Sequence, residues 1–300
     1  MNRKPIYVEI PIQSDIEKVW NASQKPEMHE QWDLRFSSIT YLPKEVNEPQ
    51  SFVYSRTVGP FISIKGWGKS VGSFHKEDGT RSSSLQFGTE QWISPIREGR
   101  GYWKYESQKD GVKFLTQYDY DVNFGRAGQI ADKLAFRPII GWATALSFDV
   151  LKRWLERGEA PRSQYLRFFS TYLMTLLFAF IWIYQGIVPK IIGMHIEERA
   201  MVGSVFALSE NGITTSVMLI GIAEVLFGLI WLFYRNKKHL FTLQLILFPL
   251  LTIAAIIAVP GTAIHPFNPV TFNFSLIVLS MMGLVMSKDV PSSRSCKRKR

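Results

Sequence analysis

Cysteine is nearly absent from this sequence. Cys296 stands alone among 300 residues, so no disulfide can form within the chain, and no Cys/His spacing suits a structural zinc. The N-terminus has no apolar core of signal-peptide length, because Glu9, Pro11 and Gln13 interrupt the Ile and Val of KPIYVEIPIQ. The first half is therefore expected in the cytosol. Catalytic spacing is scarce as well. His29, Glu30, Asp33 and His75 are scattered, no Ser/His/Asp set or carboxylate pair singles out a mechanism, and His29 and Glu30 are expected on a surface helix. The glycine-rich GWGKSVG lacks the GxxxxGK[ST] spacing of a phosphate loop and sits inside a strand-like run. Haem, iron–sulfur and flavin ligand patterns are missing too, so no metal is expected and the cofactor is left unknown.

What the chain has in abundance is two kinds of surface. A polar, charge-rich first half is followed by a second half dominated by Leu, Ile, Phe, Val and Met. Four runs, at 168–187, 214–234, 240–259 and 270–286, reach the roughly 20 residues needed to cross about 30 Å of hydrocarbon. The run LFTLQLILFPLLTIAAIIAV is apolar nearly all round, which argues against a buried helix with one polar face. The formal charge of +10 follows this membrane pattern rather than a nucleic-acid patch. Lys152, Arg153, Arg157, Arg162 and Arg167 precede the first run, Arg235, Lys237 and Lys238 separate the second and third, and SKDVPSSRSCKRKR follows the fourth. The other connections hold only Lys190 and Arg199. The positive-inside rule then puts both termini of a multi-pass cell-membrane protein in the cytoplasm, with KRKR touching anionic headgroups.

Glu224 is the acid in the otherwise apolar or glycine run GIAEVLFGLIWLFY. Ten residues of helix from Thr214 cover about 15 Å, which sets Glu224 near the bilayer midplane. An ionised carboxylate facing lipid there costs at least about 2.5 kcal/mol, so it is expected to point into a bundle. Gly221 and Gly228 share its helix face and admit a neighbouring helix closely. Thr175, Thr252 and Ser280 lie at similar depth but no cation does. A protonated or water-linked acid is thus expected rather than a salt bridge. Two roles stay open, a proton-exchanging or ligand-contacting acid and a neutral strut between helices.

The first half alternates as β-rich domains do. KPIYVEIPI reads as a strand, SDIEKVWNAS as a helix capped by Ser14 with Glu17 three positions on, and PEMHEQWD as a second short helix. A strand meander follows, and then a long helical stretch carrying Leu134, Ile139, Trp142, Leu146, Val150 and Trp154, with a break or kink expected at Pro138. In VKFLTQYDYDV the alternate positions Val112, Phe114, Thr116, Tyr118, Tyr120 and Val122 fall on one greasy, phenol-bearing face. In ISIKGWGKSVGSF the face from Ile62 to Phe74 at every second position is mostly small, which would curve the sheet and leave room above it. A ligand cavity and a filled core both remain open on this pattern.

Strand, two short helices, a meander and a closing helix, with the spacing from VEIPIQSDIEKVW to EQWD and the tryptophans Trp20 and Trp32, resemble the helix-grip fold of the SRPBCC (START/polyketide-cyclase) superfamily. WIYQGIVPK, GIAEVLFG and HPFNPVTFN, in that order, resemble the DoxX-like family of four-helix membrane proteins. The combined expectation is an α+β helix-grip domain at 1–158, a linker at 159–166, an all-α four-helix transmembrane bundle at 167–287 and a basic cytoplasmic tail at 288–300. The first resemblance implies an apolar cavity, for which Phe114, Tyr118, Tyr120 and Trp142 are the candidate ligand contacts. The second gives Glu224, Gln185, Asn268 and Asn273 as the candidate membrane site. Together they imply binding or transfer of a hydrophobic molecule, a lipid, quinone or isoprenoid, between cup and bundle, without chemistry by this chain. The alternative is a subunit of a quinone-linked or thiol-oxidation membrane complex, in which a protein partner supplies the redox centre. Expected partners are the lipid bilayer, a hydrophobic small molecule, and a membrane protein or second copy of the chain; nucleic acid is not expected.

Overall fold

The computed structural model describes residues 4–46, 48–59, 62–205 and 207–299. The chain divides into two compact units, Met1–Tyr165 together with Pro291–Arg300, and Leu166–Val290.

The first unit is an antiparallel sheet of seven strands in the order β1-β7-β6-β5-β4-β3-β2. In chain order these are β1 (Ile6–Ile12), β2 (Ser38–Tyr41), β3 (Ser51–Val58), β4 (Ile62–His75), β5 (Arg81–Gly88), β6 (Ile96–Gln108) and β7 (Gly111–Val122). Two short helices, α1 (Ile16–Gln24) and α2 (Pro26–Trp32), connect β1 to β2 across the sheet. α3 (Gly125–Ala131), a π-turn at Asp132–Phe136 and α4 (Arg137–Arg157) run on as one helix of 33 residues. That helix is apolar and long enough to cross a membrane, but half of its most apolar window is buried within the protein. Phe148 of α4 stacks on Phe114 of β7 at 4.5 Å between ring centroids, and Trp32 of α2 closes over both at 6.1 and 6.4 Å. This is the helix-grip arrangement, and the greasy face of β7 is its floor: Val112, Phe114, Thr116, Tyr118 and Tyr120 are all buried.

Several local expectations change. The cap of α1 is Asp15, whose carboxylate accepts from Glu17 N at 2.7 Å, and not Ser14; an aspartate in this place stabilises a helix by about 1 kcal/mol. Pro138 does not break the long helix: it follows directly on the π-turn at Asp132–Phe136, where the regular i→i−4 ladder is already interrupted and the missing N–H is accommodated. The π-turn before it shifts the phase of the apolar stripe, and Leu134 and Ile139 point outward, exposed. On β4, a bulge between Ser70 and Gly72 reverses which face each residue presents. Phe74 is therefore on the outer face and 67% exposed.

The room expected above the glycines of β4 is taken. A Cβ on Gly66 would overlap the Tyr54 ring and one on Gly68 the Phe52 ring, so aromatic side chains of β3 lie across the bare backbone of β4. The same device recurs where the rings of Trp67 and Phe87 cover Gly88 and Gly99. Glycine curves the sheet as expected, and the neighbouring ring fills the space it vacates.

Residues 291–300 belong to this unit. Glu9 and Lys297 exchange backbone hydrogen bonds, N to O at 3.0 Å in each direction, so the tail pairs with the free edge of β1. Ser292 N donates to Asp149 at 2.8 Å and the Cys296 thiol to the Ala145 carbonyl at 3.2 Å. At the opposite edge β2 is only four residues long. One edge is covered and the other short, the two usual protections against strand-on-strand aggregation.

The second unit is helical: α5 (Pro161–Gln185, from Leu166 onward) continuing as a π-turn at Gly186–Ile192, α6 (Ile196–Val205), α7 (Glu210–Phe233), α8 (Lys237–Ala258) and α9 (Pro269–Met286). Four of its helices are long and apolar enough to span a membrane. Their shared core is aromatic, with Phe178 against Trp231 at 5.2 Å, Trp182 stacked on Phe248 at 5.7 Å, and Phe241 against Trp231 at 4.9 Å.

Tail docking is testable through the single thiol. Burial pushes Cys296 up to about 12, with the Ser295 contact offsetting only part of this, and thiol reagents attack the thiolate. Maleimide should label the native full-length protein at pH 8 at least about tenfold more slowly than the denatured one. Lys297→Pro, which deletes one bond to Glu9, should close that gap. Equal rates before and after denaturation would refute the docked tail.

Candidate functional site

The helix side of the sheet carries a polar network that begins on α2. His29 lies four residues before Asp33, one helical turn, and Nε2 donates to Asp33 Oδ2 at 2.9 Å. Arg35 turns back on the same carboxylate, Nε to Oδ1 at 2.9 Å and Nη2 to Oδ2 at 2.6 Å. His29 is not the surface residue expected from the sequence. It is buried among Trp32, Phe36 and Trp103, with centroids 5.1, 5.0 and 4.8 Å away. α2 is only seven residues long, too short for its period to show which side is buried, and the spacing to Asp33 was the one available signal. Glu30 instead accepts from Ile39 N at 3.2 Å.

Burial pushes the His29 imidazole below its ordinary value and Asp33 offsets only part of that, so the ring is neutral at pH 7. Burial alone would raise the Asp33 carboxyl, but the Arg35 guanidinium and the bond from His29 hold it well below the carboxylate range. An ionised Asp33 can only accept, which fixes the proton on His29 Nε2.

Arg35 is the outermost member of the network, its side chain 15% exposed. Its guanidinium lies 5.3 Å from the Tyr118 ring and 5.7 Å from Phe36, Phe36 meets Tyr54 edge-on at 5.4 Å, and Phe87 meets Tyr118 at 6.5 Å. Phe36, Tyr54 and Phe87 are half-buried. Burial raises Tyr118 and pushes Tyr54 up to about 12, so both phenols are neutral donors. One orienting cation among partly open rings can hold an apolar molecule by its body and an acceptor group by its head.

Among the expected contacts, Phe114 is fully packed under Phe148. Tyr118 bonds Thr144 at 2.8 Å and faces Arg35. Tyr120 donates to Asp132 at 2.7 Å, under the Arg137 guanidinium, and Trp142 is half-buried on α4, outside the buried cluster. Only Tyr118 belongs to the Arg35 group.

In the second unit Glu224 does have a cation. Lys190 Nζ lies 3.1 Å from Glu224 and 3.1 Å from Glu198 of α6, and only 7% of Lys190 is exposed. The sequence places Lys190 in the connection after the first span, but the helix continues through Pro189 as a π-turn and ends at Gly193. Side chains on a helix point back toward its N-terminus, which carries the amine down to the acid. Glycine makes the approach possible: a Cβ on Gly221 would sit 2.8 Å from Gly186 O, and one on Gly228 2.6 Å from Ile183 Cγ1. Thr175, Thr252 and Ser280 bond carbonyls of their own helices.

Of the other expected membrane residues, Asn268 and Asn273 make hydrogen bonds within the second unit. Asn268 caps α9, Oδ1 accepting from Thr271 N at 2.9 Å; Asn273 donates to Thr252 across the α8–α9 seam at 2.9 Å; Gln185 is half-buried at the end of α5. Sequence reasoning missed a further feature of the aromatic core. Trp182 Nε1, Trp231 Nε1 and Gln244 Nε2 are buried donors with no acceptor among the described residues.

A sequence profile of the DoxX-like family matches residues 179–281. The uncharacterized membrane protein YndG of Bacillus subtilis strain 168 is 38% identical over 304 aligned positions, covering 100% of this chain and 99% of the relative. The chain belongs to the YndG family of membrane proteins. Among solved structures, the STAR-related lipid transfer protein of Xanthomonas axonopodis aligns at 14% identity and a TM-score of 0.39, over 50% of this chain and 85% of that one. The Zhui aromatase/cyclase of Streptomyces sp. R1128 aligns at 8% and 0.39, over 52% and 98%.

The Lys190 contact sets an expectation for Glu224. Removing one partner of a buried pair leaves a charge uncompensated, typically about 3–5 kcal/mol. Glu224→Gln should lower the unfolding temperature in detergent, and the double variant Lys190→Met, Glu224→Gln should recover most of it. A single variant as stable as the parent would show that the pair contributes nothing.

Proposed function

We propose that this membrane-anchored protein binds an amphipathic small molecule on the helix-grip face and exchanges it with the bilayer in which its second unit is embedded. One observation carries the reading: the Arg35 guanidinium, oriented by the buried His29–Asp33 pair, lies among Phe36, Tyr54, Phe87 and Tyr118. The rings suit an acyl, isoprenoid or aromatic body and the guanidinium suits a carboxylate or carbonyl head. The network holds no nucleophile beside a base, which supports binding rather than catalysis.

The test uses the full chain in lipid nanodiscs with a fluorescent fatty acid and the matching fatty alcohol. Arg35→Gln would strand the buried Asp33 charge, so the comparison is the double variant Asp33→Asn, Arg35→Gln. It should bind the acid about tenfold more weakly, about 1.4 kcal/mol, with the alcohol unchanged. A folded parent that binds neither probe would overturn the proposal.

A second reading, a DoxX-like subunit of a quinone-linked complex, is favoured by the bundle core. The buried N–H groups of Trp182, Trp231 and Gln244, unpaired among the described residues, suit a molecule bearing carbonyl acceptors. A quinone that co-purifies with the parent and is lost in Gln244→Leu would favour this reading over the first.

We further infer that both termini are cytoplasmic. The Lys/Arg asymmetry supports this, and so does the tail: residues 291–300 belong to the same unit as β1, which requires an even number of crossings between them. A periplasm-active reporter should be silent after Arg300 and active when inserted near Gly212; the reverse pattern would refute the orientation.

A further inference from the structure

We propose that the first unit carries a second ligand site, distinct from the Arg35 face, that binds the headgroup of an anionic phospholipid. A cavity of about 460 Å³ lies between the start of β1, the helical turn around Asp132 and the C-terminal tail. Four cations line it, Lys4, Lys133, Arg137 and Arg298, against one carboxylate, Asp132.

Asp132 does not neutralise this set. Its Oδ2 accepts from Arg137 Nε at 3.0 Å and its Oδ1 from the Tyr120 hydroxyl at 2.7 Å. Arg137 is further held by Asp119 at 2.8 Å and the Lys4 carbonyl at 3.0 Å, both through Nη1. Its Nη2 is shut from solvent and has no acceptor among the described residues. Arg137 is thus held by two carboxylates and stacked over the Tyr120 ring at 4.5 Å, which leaves Lys4, Lys133 and Arg298 as the lining cations that can meet phosphate oxygens. Arg298 comes from the docked tail, with Nη2 3.4 Å from the Pro138 carbonyl. Gly141 gives it room, since a Cβ there would stand 3.2 Å from Nη2.

The surroundings choose the source of the phosphate. A neighbouring cavity of about 390 Å³ shares Gln129 and Lys133 with the first and adds Arg126, Ile130 and Leu134. Ile130 and Leu134 are 60% and 74% exposed. Phe124, six residues before Ile130 and just ahead of α3, is also exposed and is held in the left-handed region at φ 68°, a conformation unfavourable for a bulky residue. A cationic pocket continuous with an exposed apolar rim matches a phosphodiester with acyl chains attached, whereas a free phosphate would leave the rim unused.

The experiment titrates the full chain, in a neutral sugar detergent, with dihexanoyl phosphatidylglycerol, dihexanoyl phosphatidylcholine and inorganic phosphate, and reads bound ligand by native mass spectrometry. Phosphatidylglycerol should bind in preference to the other two. The double variant Lys133→Gln, Arg298→Gln, which leaves the Asp119–Arg137–Asp132 bonds intact, should reduce that binding at least about tenfold. Leu134→Ser should weaken phosphatidylglycerol but not inorganic phosphate. Asp33→Asn, Arg35→Gln should change neither, which separates this site from the fatty-acid face. Phosphatidylglycerol binding that survives in the Lys133/Arg298 variant, matches phosphatidylcholine, or is equalled by inorganic phosphate would overturn the proposal.

Discussion

The stack of Phe148 on Phe114 is the contact on which the first unit depends. β7 presents a continuous apolar face, and an exposed face of that kind must be covered by another layer. α4 supplies the layer, and Trp32 and Trp103 complete the aromatic centre at 6.1 and 5.8 Å from Phe148 and Phe114 respectively. Each fully buried ring contributes about 1.5–3 kcal/mol through area alone. With that centre closed, the sheet beyond β6 extends past the helix. Its aromatic residues there are half-buried rather than enclosed, and the Arg35 group occupies this partly open region.

The fold was legible where the signal was periodic. Alternation in VKFLTQYDYDV named five of the six buried residues of β7, missing Leu115 and including the half-buried Val122, and the apolar runs named four long helices, because burial against a sheet or in lipid is written directly into spacing. It was less legible where one residue changes the phase. The extra residue at the β4 bulge turned Phe74 outward, and the π-turn at Asp132–Phe136 turned Leu134 outward. Neither insertion leaves a compositional mark. The glycines of β4 were read correctly as causes of curvature and incompletely as causes of space, because the rings that fill the space belong to the adjacent strand.

The candidate sites show the same limit in another form. His29, Asp33 and Arg35 lie within seven residues, yet what makes them a unit is burial against Trp103 of a distant strand, which no local pattern states. Lys190 was visible as a cation and Glu224 as an acid. What linked them was helix geometry beyond a proline, which by its usual reading would have ended the helix.

Pairing of Lys297 with Glu9 also has a consequence for the order of synthesis. Residues 291–300 are translated after every apolar helix of the second unit, so the edge of β1 that they cover stays unpaired while those helices are being made and inserted. β1, made before those helices, is thus completed only after them. During that interval the strand edge stays open, and the polar tail that arrives to close it also delivers Arg298 to its pocket.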